Sequence, residues 1–184
     1  MRLDCLRDKE LALRLVEPED ARLLHSWEND PSLAESNTLY EPLARFQAQQ
    51  FAQVGNSHLL ENGSLMLIAE VKSEGEDAPT PIGYIELYNY DHFHRRAAVG
   101  LVVLPSWQHK GYGRRMLSCI EHYTFDVLRL HQLYAEVVGD NAKAVLFFDQ
   151  SHYKRVAQLP QWQWQHGAYQ DLIIYQLCPE SKRE

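Results

Sequence analysis

The segment that decides how this 184-residue chain is organised reads Gln108-His109-Lys110-Gly111-Tyr112-Gly113. An apolar run, Ala97 to Leu104, precedes it, and an amphipathic stretch, Met116 to Leu128, follows it. This order predicts a strand, a glycine-containing turn and a helix in direct succession. Such a turn presents unpaired backbone N–H groups at the positive end of a helix, where they bind anions such as phosphate. The segment therefore predicts a phosphate-binding turn.

Two common phosphate-binding motifs do not fit this segment. A Walker loop has a longer glycine spacing and ends in a lysine and a hydroxyl residue, whereas Gly113 is followed by Arg114 and Arg115. A dinucleotide-binding turn requires a third glycine where this chain has Met116, and an acid at the end of the next strand. The next apolar run, Leu133 to Val138, ends without that acid. The spacing that fits is Gln/Arg-x-x-Gly-x-Gly/Ala.

Composition and charge narrow the class of protein. Apolar residues make up 45% of the chain and charged residues 23%, which is typical of a globular domain with one core. The net charge of −7 argues against a nucleic-acid partner. The N-terminus is too charged for a signal peptide and no apolar run is long enough for a membrane span, so we expect a cytoplasmic protein without a membrane partner. Three widely spaced cysteines, Cys5, Cys119 and Cys178, fit a reducing compartment.

The remaining periodicities predict a single α/β (α+β) domain over residues 1–184, with flexible ends at 1–10 and 178–184. Its core is predicted to be a mixed, mostly antiparallel twisted sheet of about seven strands, flanked by about four helices. The predicted order is a strand, two helices, several antiparallel strands, a helix, a strand, a helix and two final strands. The predicted strands are 11–16, 65–71, 83–89, 97–104, 133–138, 161–165 and 171–177.

A second motif, Asn141-x-x-Ala144-x-x-Phe147-Phe148, places an Asn at the start of the helix after Leu133 to Val138. With the glycine turn and the order of elements, it resembles the GNAT superfamily of N-acetyltransferases over most of the chain, from Leu11 to Leu177. The resemblance is nearest to the branch that contains spermidine N-acetyltransferase and the ribosomal-protein N-terminal acetyltransferases. The residues that carry this nearer likeness are His92-x-His94-Arg95-Arg96-Ala97, Pro105-x-x-Gln108-x-Lys110-Gly111 and the segment Asp126 to Tyr134.

The resemblance implies an enzyme that transfers acetyl from acetyl-CoA directly to a primary amine, on a small amine of polyamine type or on a peptide N-terminus. It implies that the backbone of Leu101, Val102 and Val103 holds the pantetheine like an added strand, and that Asn141 and Phe148 lie beside it. An N–H of that strand would polarise the thioester oxygen. Homo-oligomerisation stays open. The residues expected to hold the pyrophosphate are Gln108, His109, Lys110, Gly111, Tyr112, Gly113 and Arg114.

The residues for proton transfer depart from the pattern of the superfamily. The Tyr that often protonates the leaving thiolate is replaced by Phe148, so either Tyr153, Tyr123 or water serves, or the thiolate leaves as an anion. Acids of the spermidine branch are replaced by Asn89 and Ala98. The missing Tyr also keeps an alternative open, in which the protein binds acyl-CoA without turnover, as a sensor or interaction module.

Glu86 is the predicted general base, and Tyr153 is the other predicted catalytic residue. Glu86 lies on an alternating strand and shares a face with Tyr84 and Tyr88, whose rings would raise the pKa of its carboxyl group. The alternative for Glu86 is a solvated or salt-bridged carboxylate. No metal site is predicted, since the histidine pair around position 93 has no third ligand at a suitable spacing.

Overall fold

The computed structural model describes residues 4–33, 41–54, 59–73, 75 and 77–179. The strands in these residues are β1 (Arg7–Asp8), β2 (Leu11–Leu15), β3 (Leu65–Val71), β4 (Thr80–Asp91), β5 (Arg96–Val103), β6 (Gln132–Val138), β7 (Lys154–Gln165) and β8 (Ala168–Leu177). The α-helices are α1 (Ala21–Glu28), α2 (Arg45–Val54), α3 (Leu59–Asn62), α4 (Tyr112–His122) and α5 (Ala142–Asp149). None of the described helices is long and apolar enough to cross a membrane.

The strands form one eight-stranded sheet with the order β1-β2-β3-β4-β5-β6-β8-β7. Neighbouring strands are antiparallel except for β5 and β6, which are parallel. This arrangement confirms the predicted mixed, mostly antiparallel sheet with flanking helices. The predicted strands all occur, and β1 is the additional one.

The N-terminal segment differs from the prediction of a flexible end. Residues 4–6 form a 3₁₀ turn, and β1 pairs with β2. Arg115 on α4 holds this segment, because its Nε lies 2.5 Å from Oδ2 of Asp8 and its Nη1 lies 2.6 Å from Oε1 of Glu10. A two-residue strand is too short to show an alternating pattern, and its cationic partner is remote in sequence. Most of the other predicted flexible end, 178–184, lies outside the described residues.

Strand β7 is longer than the predicted 161–165. It begins at Lys154, and most of its side chains are exposed, because it is the last strand of the sheet. Without a buried face, the strand has no alternation of apolar and polar residues that the sequence could reveal. An edge strand also tolerates Pro160, which has no N–H to donate.

Each face of the sheet is covered by different helices. On the face we call the α4 face, Met116 and Ile120 pack with Ile85 and Leu87 of β4. On the opposite face, which we call the α1 face, residues of α1 and α2 pack with Tyr84 and other residues of the sheet. The predicted alternation along β4 is therefore confirmed. Because Glu86 and Tyr88 share the side of Tyr84, they belong to the α1 face.

One ladder in the middle of the sheet is incomplete. The parallel strands β5 and β6 pair only between residues 96–98 and 132–134. Beyond this point β5 stays paired with β4 as far as Val103, and β6 stays paired with β8 as far as Val138. The two strands therefore diverge and leave open the edge of β5 at Leu101 to Val103, where the resemblance places the pantetheine. We call the resulting opening the β5–β6 gap.

Candidate active site

The predicted phosphate-binding turn lies between the end of β5 and the start of α4. Gly111 is the N-cap of α4 and has a φ of 83°, in the left-handed region that glycine adopts without strain. No described side chain caps the first turn of α4, and apart from the two chain neighbours of Gly111 no described residue has a heavy atom within 4 Å of a Cβ placed there. The N–H groups of the first turn are therefore available to an anion, as the pyrophosphate of acetyl-CoA requires.

A cavity of about 980 Å³ connects this turn with the α1 face of the sheet. Its lining includes the turn, part of α5 and residues on both sides of the β5–β6 gap, namely 99–103 and 136–138. It continues to Leu24, Leu43 and Phe51 beneath α1 and α2. Two molecules that enter from opposite faces of the sheet would thus meet at the gap.

The predicted cofactor-binding residues line this cavity, with the exception of Lys110. The ammonium group of Lys110 lies 4.9 Å from the ring centroid of Trp107, in a cation–π contact. Lys143, in the first turn of α5, does line the cavity. The sequence offers a weak signal for Lys143, because it follows the capping Asn141 by two positions.

Three of the predicted residues also have structural contacts. The side-chain amide of Gln108 donates a 2.8 Å hydrogen bond to the carbonyl oxygen of Val103, which fixes the turn to the end of β5. The side chain of Asn141 caps α5 by accepting a 3.0 Å hydrogen bond from the N–H of Ala144. Nη2 of Arg114 lies 3.2 Å from the amide oxygen of Gln150. These contacts place the three side chains at the mouth of the gap.

Charged side chains divide the cavity into two ends. Arg114 and Lys143 line it near the turn, where positive charge favours phosphate. Glu28, Glu86 and Glu136 line it from α1, β4 and β6. Of these acids the sequence identifies only Glu86, because the other two lie on elements remote in sequence and belong to no motif. The acidic end favours a cationic ligand.

Glu86 is half-buried on the α1 face. Burial, and secondly the nearby Glu28 carboxylate, raise the pKa of its carboxyl group to about 6. The Tyr84 hydroxyl donates a 3.4 Å hydrogen bond to Oε1 of Glu28, and burial raises the pKa of Glu28 as well. A carboxylate with a pKa near 6 is ionised at neutral pH and accepts a proton more readily than an exposed one.

The two aromatic residues proposed around the leaving group have different positions. Phe148 lines the cavity and stacks on Tyr175, with a centroid distance of 5.4 Å. Tyr153 packs edge-on against Phe148 but does not line the cavity. Its hydroxyl is buried without a hydrogen-bond partner among the described residues, and burial raises its pKa well above the usual range. Tyr123 does not line the cavity either. The structure therefore brings Glu86 and Phe148 to the cavity, but not Tyr153.

Residues 10–152 match the family model of the acetyltransferase (GNAT) domain. The chain belongs to the GNAT family. This GNAT domain is 27% identical over 165 residues to spermidine N(1)-acetyltransferase of Vibrio cholerae serotype O1, a match that covers 90% of this chain and 91% of that protein.

Solved structures resemble this GNAT domain over nearly its whole length. Spermidine N-acetyltransferase from Vibrio cholerae in complex with CoA and spermine superposes with a TM-score of 0.80, at 23% identity, and covers 93% of this chain and 96% of that one. A dodecameric structure of spermidine N-acetyltransferase from the same organism has a TM-score of 0.75, at 24% identity, with 93% and 95% covered. These likenesses confirm the GNAT fold.

As a member of this family, the chain is an N-acetyltransferase that takes its acetyl group from acetyl-CoA. The first turn of α4 and the unpaired side of β5 fit that donor, since one offers N–H groups to a pyrophosphate and the other offers a strand edge to the pantetheine. Family membership favours turnover over the alternative of a binding module without catalysis.

Replacing Gly111 by Asp tests the position of the donor. The new carboxylate would repel the pyrophosphate, and we expect the Kd for acetyl-CoA to rise at least about tenfold over that of Gly111→Asn. Gly111→Asn is the matched control, because Asn has nearly the same shape and the same left-handed backbone requirement but no charge. Isothermal titration calorimetry measures both. Equal affinities of the two variants would contradict pyrophosphate binding at this turn.

Replacing Tyr153 by Phe tests whether its hydroxyl protonates the leaving thiolate. Because this hydroxyl does not line the cavity, we expect kcat to remain within about twofold of the original enzyme. Removing a buried hydroxyl without a partner should also stabilise the fold slightly, by about 1 kcal/mol in urea unfolding. A loss of kcat of about 100-fold with unchanged stability would instead assign Tyr153 to catalysis.

Proposed function

We propose that this N-acetyltransferase acetylates polyamines, that is, aliphatic acceptors with at least two amino groups. The observation that carries this proposal is the convergence of Glu28, Glu86 and Glu136 on one cavity next to the donor site. Acceptors of this class are protonated at neutral pH, and carboxylates in a partly buried cavity bind ammonium groups more strongly than exposed ones do. The similarity to enzymes named for spermidine supports the same class.

The apolar lining of the acidic end supports an aliphatic acceptor. Leu24, Leu43 and Met66 line the cavity between and around the acids. Tyr84 and Tyr88 add ring faces, which attract methylene groups and ammonium groups alike. A polyamine has the matching pattern, because charged nitrogens alternate with short methylene spacers.

Two acids of the spermidine branch are absent from this chain, where Asn89 and Ala98 occupy their positions. Ala98 is fully buried and pairs with Tyr134 of β6, so the fold gives this position a packing role. Glu28 and Glu136 bring carboxylates to the cavity from α1 and β6 instead. The negative charge that a polyamine needs is therefore present, although different elements supply it.

Glu86 is the general base in this proposal. The reacting ammonium group first loses one proton to water. The neutral amine nitrogen then attacks the thioester carbonyl carbon at the β5–β6 gap, and its N–H becomes acidic as the N–C bond forms. The Glu86 carboxylate accepts that proton, directly or through one water molecule. The C–S bond then breaks and leaves the amide and the CoA thiolate. Polarisation of the carbonyl oxygen by an N–H of β5 lowers the barrier.

The thiolate takes its proton from water in this mechanism. Phe148 stands at the position of the usual acid and has no proton to donate, and neither Tyr153 nor Tyr123 lines the cavity. A thiol has a pKa of about 8.5, so a thiolate is a good leaving group and depends less on protonation by an acid than an alkoxide does.

The three cysteines, Cys5, Cys119 and Cys178, are free, which supports a location in the reducing cytoplasm. The dodecamer of the Vibrio cholerae neighbour supports a homo-oligomeric assembly for this chain.

The pH dependence of the rate tests Glu86. Below a pH of about 6 the Glu86 carboxylate of the free enzyme is protonated and cannot accept a proton, so kcat/KM should fall on the acidic side of this value. Glu86→Gln should lose about 100-fold in kcat and should lose this acidic limb. The control is Glu121→Gln, because burial raises the pKa of Glu121 to about 7 but Glu121 does not line the cavity. An unchanged acidic limb in Glu86→Gln would exclude Glu86 as the base.

A panel of amines with the Glu28→Gln variant tests the acceptor class. Free thiol release should be fastest with spermidine and putrescine, and slower with butylamine or a peptide N-terminus. We expect Glu28→Gln to raise the KM for the diamines about tenfold and to leave the KM for butylamine within about twofold, because butylamine has no second ammonium group.

The control for a change of net charge is Glu19→Gln, an exposed acid that does not line the cavity. A preference for the peptide, or an equal effect of Glu28→Gln on diamines and butylamine, would contradict the polyamine assignment.

A further inference from the structure

A glycine lies opposite the proposed base, in the middle of a central strand. Gly100 of β5 pairs directly with Glu86 of β4. Residues paired in this way point to the same face of the sheet, here the α1 face. Gly100 also lies two positions beyond Ala98, the last residue of β5 that pairs with β6. It therefore borders the β5–β6 gap on the side from which the acceptor enters.

The space above Gly100 is filled by the Glu86 side chain. A Cβ atom at Gly100 would lie 3.2 Å from Oε1 of Glu86, 3.5 Å from its Cγ and 3.5 Å from Cε1 of Tyr88. The Glu86 carboxylate thus lies across the backbone of β5, on the way to the gap. The 3.2 Å contact is closer than ordinary van der Waals packing, so a Cβ atom at position 100 would push the carboxylate away by a few tenths of an ångström, and a larger side chain would push it farther.

The backbone of Gly100 does not itself require glycine. The glycines with positive φ are Gly63, Gly75, Gly83, Gly111 and Gly167, and Gly100 is not among them. Glycine inside a strand costs about 0.5–1 kcal/mol of stability relative to alanine. A destabilising glycine without a conformational reason indicates that the space which a Cβ atom would occupy is needed for another group, here the Glu86 side chain.

We propose that Gly100 is a positioning residue for the Glu86 carboxylate. Without a Cβ atom at this position, the carboxylate crosses β5 and reaches the edge of the gap, where the thioester and the amine meet. This inference rests on the proposed role of Glu86 as the base. A general base acts only within hydrogen-bond reach of the proton that it accepts, and a displacement of about 1 Å is enough to reduce the rate strongly.

The test combines Gly100→Ala with Glu86→Gln. Gly100→Ala should lower kcat about tenfold and Gly100→Val should lower it further, because the larger side chain moves the carboxylate farther towards β4. The Kd for acetyl-CoA should stay within about twofold by calorimetry, and the Tm of Gly100→Ala should be equal to or above that of the original enzyme. A packing defect would lower Tm together with kcat, so the measurement of Tm distinguishes a packing defect from the displacement of the carboxylate.

The double variant separates positioning from other effects. If Gly100 acts through Glu86, Gly100→Ala should cause no further loss of kcat in the Glu86→Gln background. Full activity of Gly100→Ala, a loss of Tm together with kcat, or an equal loss in both backgrounds would overturn the inference. If Glu86→Gln itself retained full activity, the proposed base would fail and the inference with it. A normal loss in Glu86→Gln with no loss in Gly100→Ala would reject the positioning role alone.

Discussion

The active site depends on the early end of the ladder between β5 and β6. Pairing stops after residue 98 of β5, while the outer neighbours β4 and β8 continue to hold the two strands. Backbone N–H and C=O groups inside a protein require partners, and beyond this point no described strand pairs with the inner edge of β5. A ligand with amide groups along its length, such as the pantetheine, supplies partners of the same kind as another strand. The missing pairs between β5 and β6 thus create both the site for the pantetheine of acetyl-CoA and an opening through the sheet.

The separation of charges follows from that opening. The α4 face of the gap receives a helix N-terminus with Arg114 and Lys143, and the α1 face receives the three carboxylates. An anionic donor and the proposed cationic acceptor would therefore approach from opposite faces, each attracted to a different end of the cavity. The sheet between them keeps the opposite charges apart except at the gap, where the reacting atoms are neutral.

The partly buried acids of the cavity are less easily ionised than exposed acids, which suits them to the binding of an ammonium group. Burial raises the pKa of both Glu86 and Glu28, and the Glu28 carboxylate raises the pKa of Glu86 further. An ammonium group bound between them would relieve that repulsion. The Arg115 contacts to Asp8 and Glu10 show the opposite case, in which a cation of the chain itself is paired with the acids.

The sequence by itself determined the features that depend on neighbours along the chain. The glycine turn, the capping Asn141, the alternation that places Glu86 with Tyr84, and most strands follow from local propensity and period. The tertiary structure decided what depends on residues far apart in the chain. It joined Glu28 and Glu136 to Glu86, placed Lys143 instead of Lys110 in the cavity lining, excluded Tyr153 from that lining and tied β1 to Arg115. Short-range sequence patterns indicate the strand or helix to which a residue belongs. A cavity forms where several elements pack together, and no spacing along the chain predicts which of their side chains will line it.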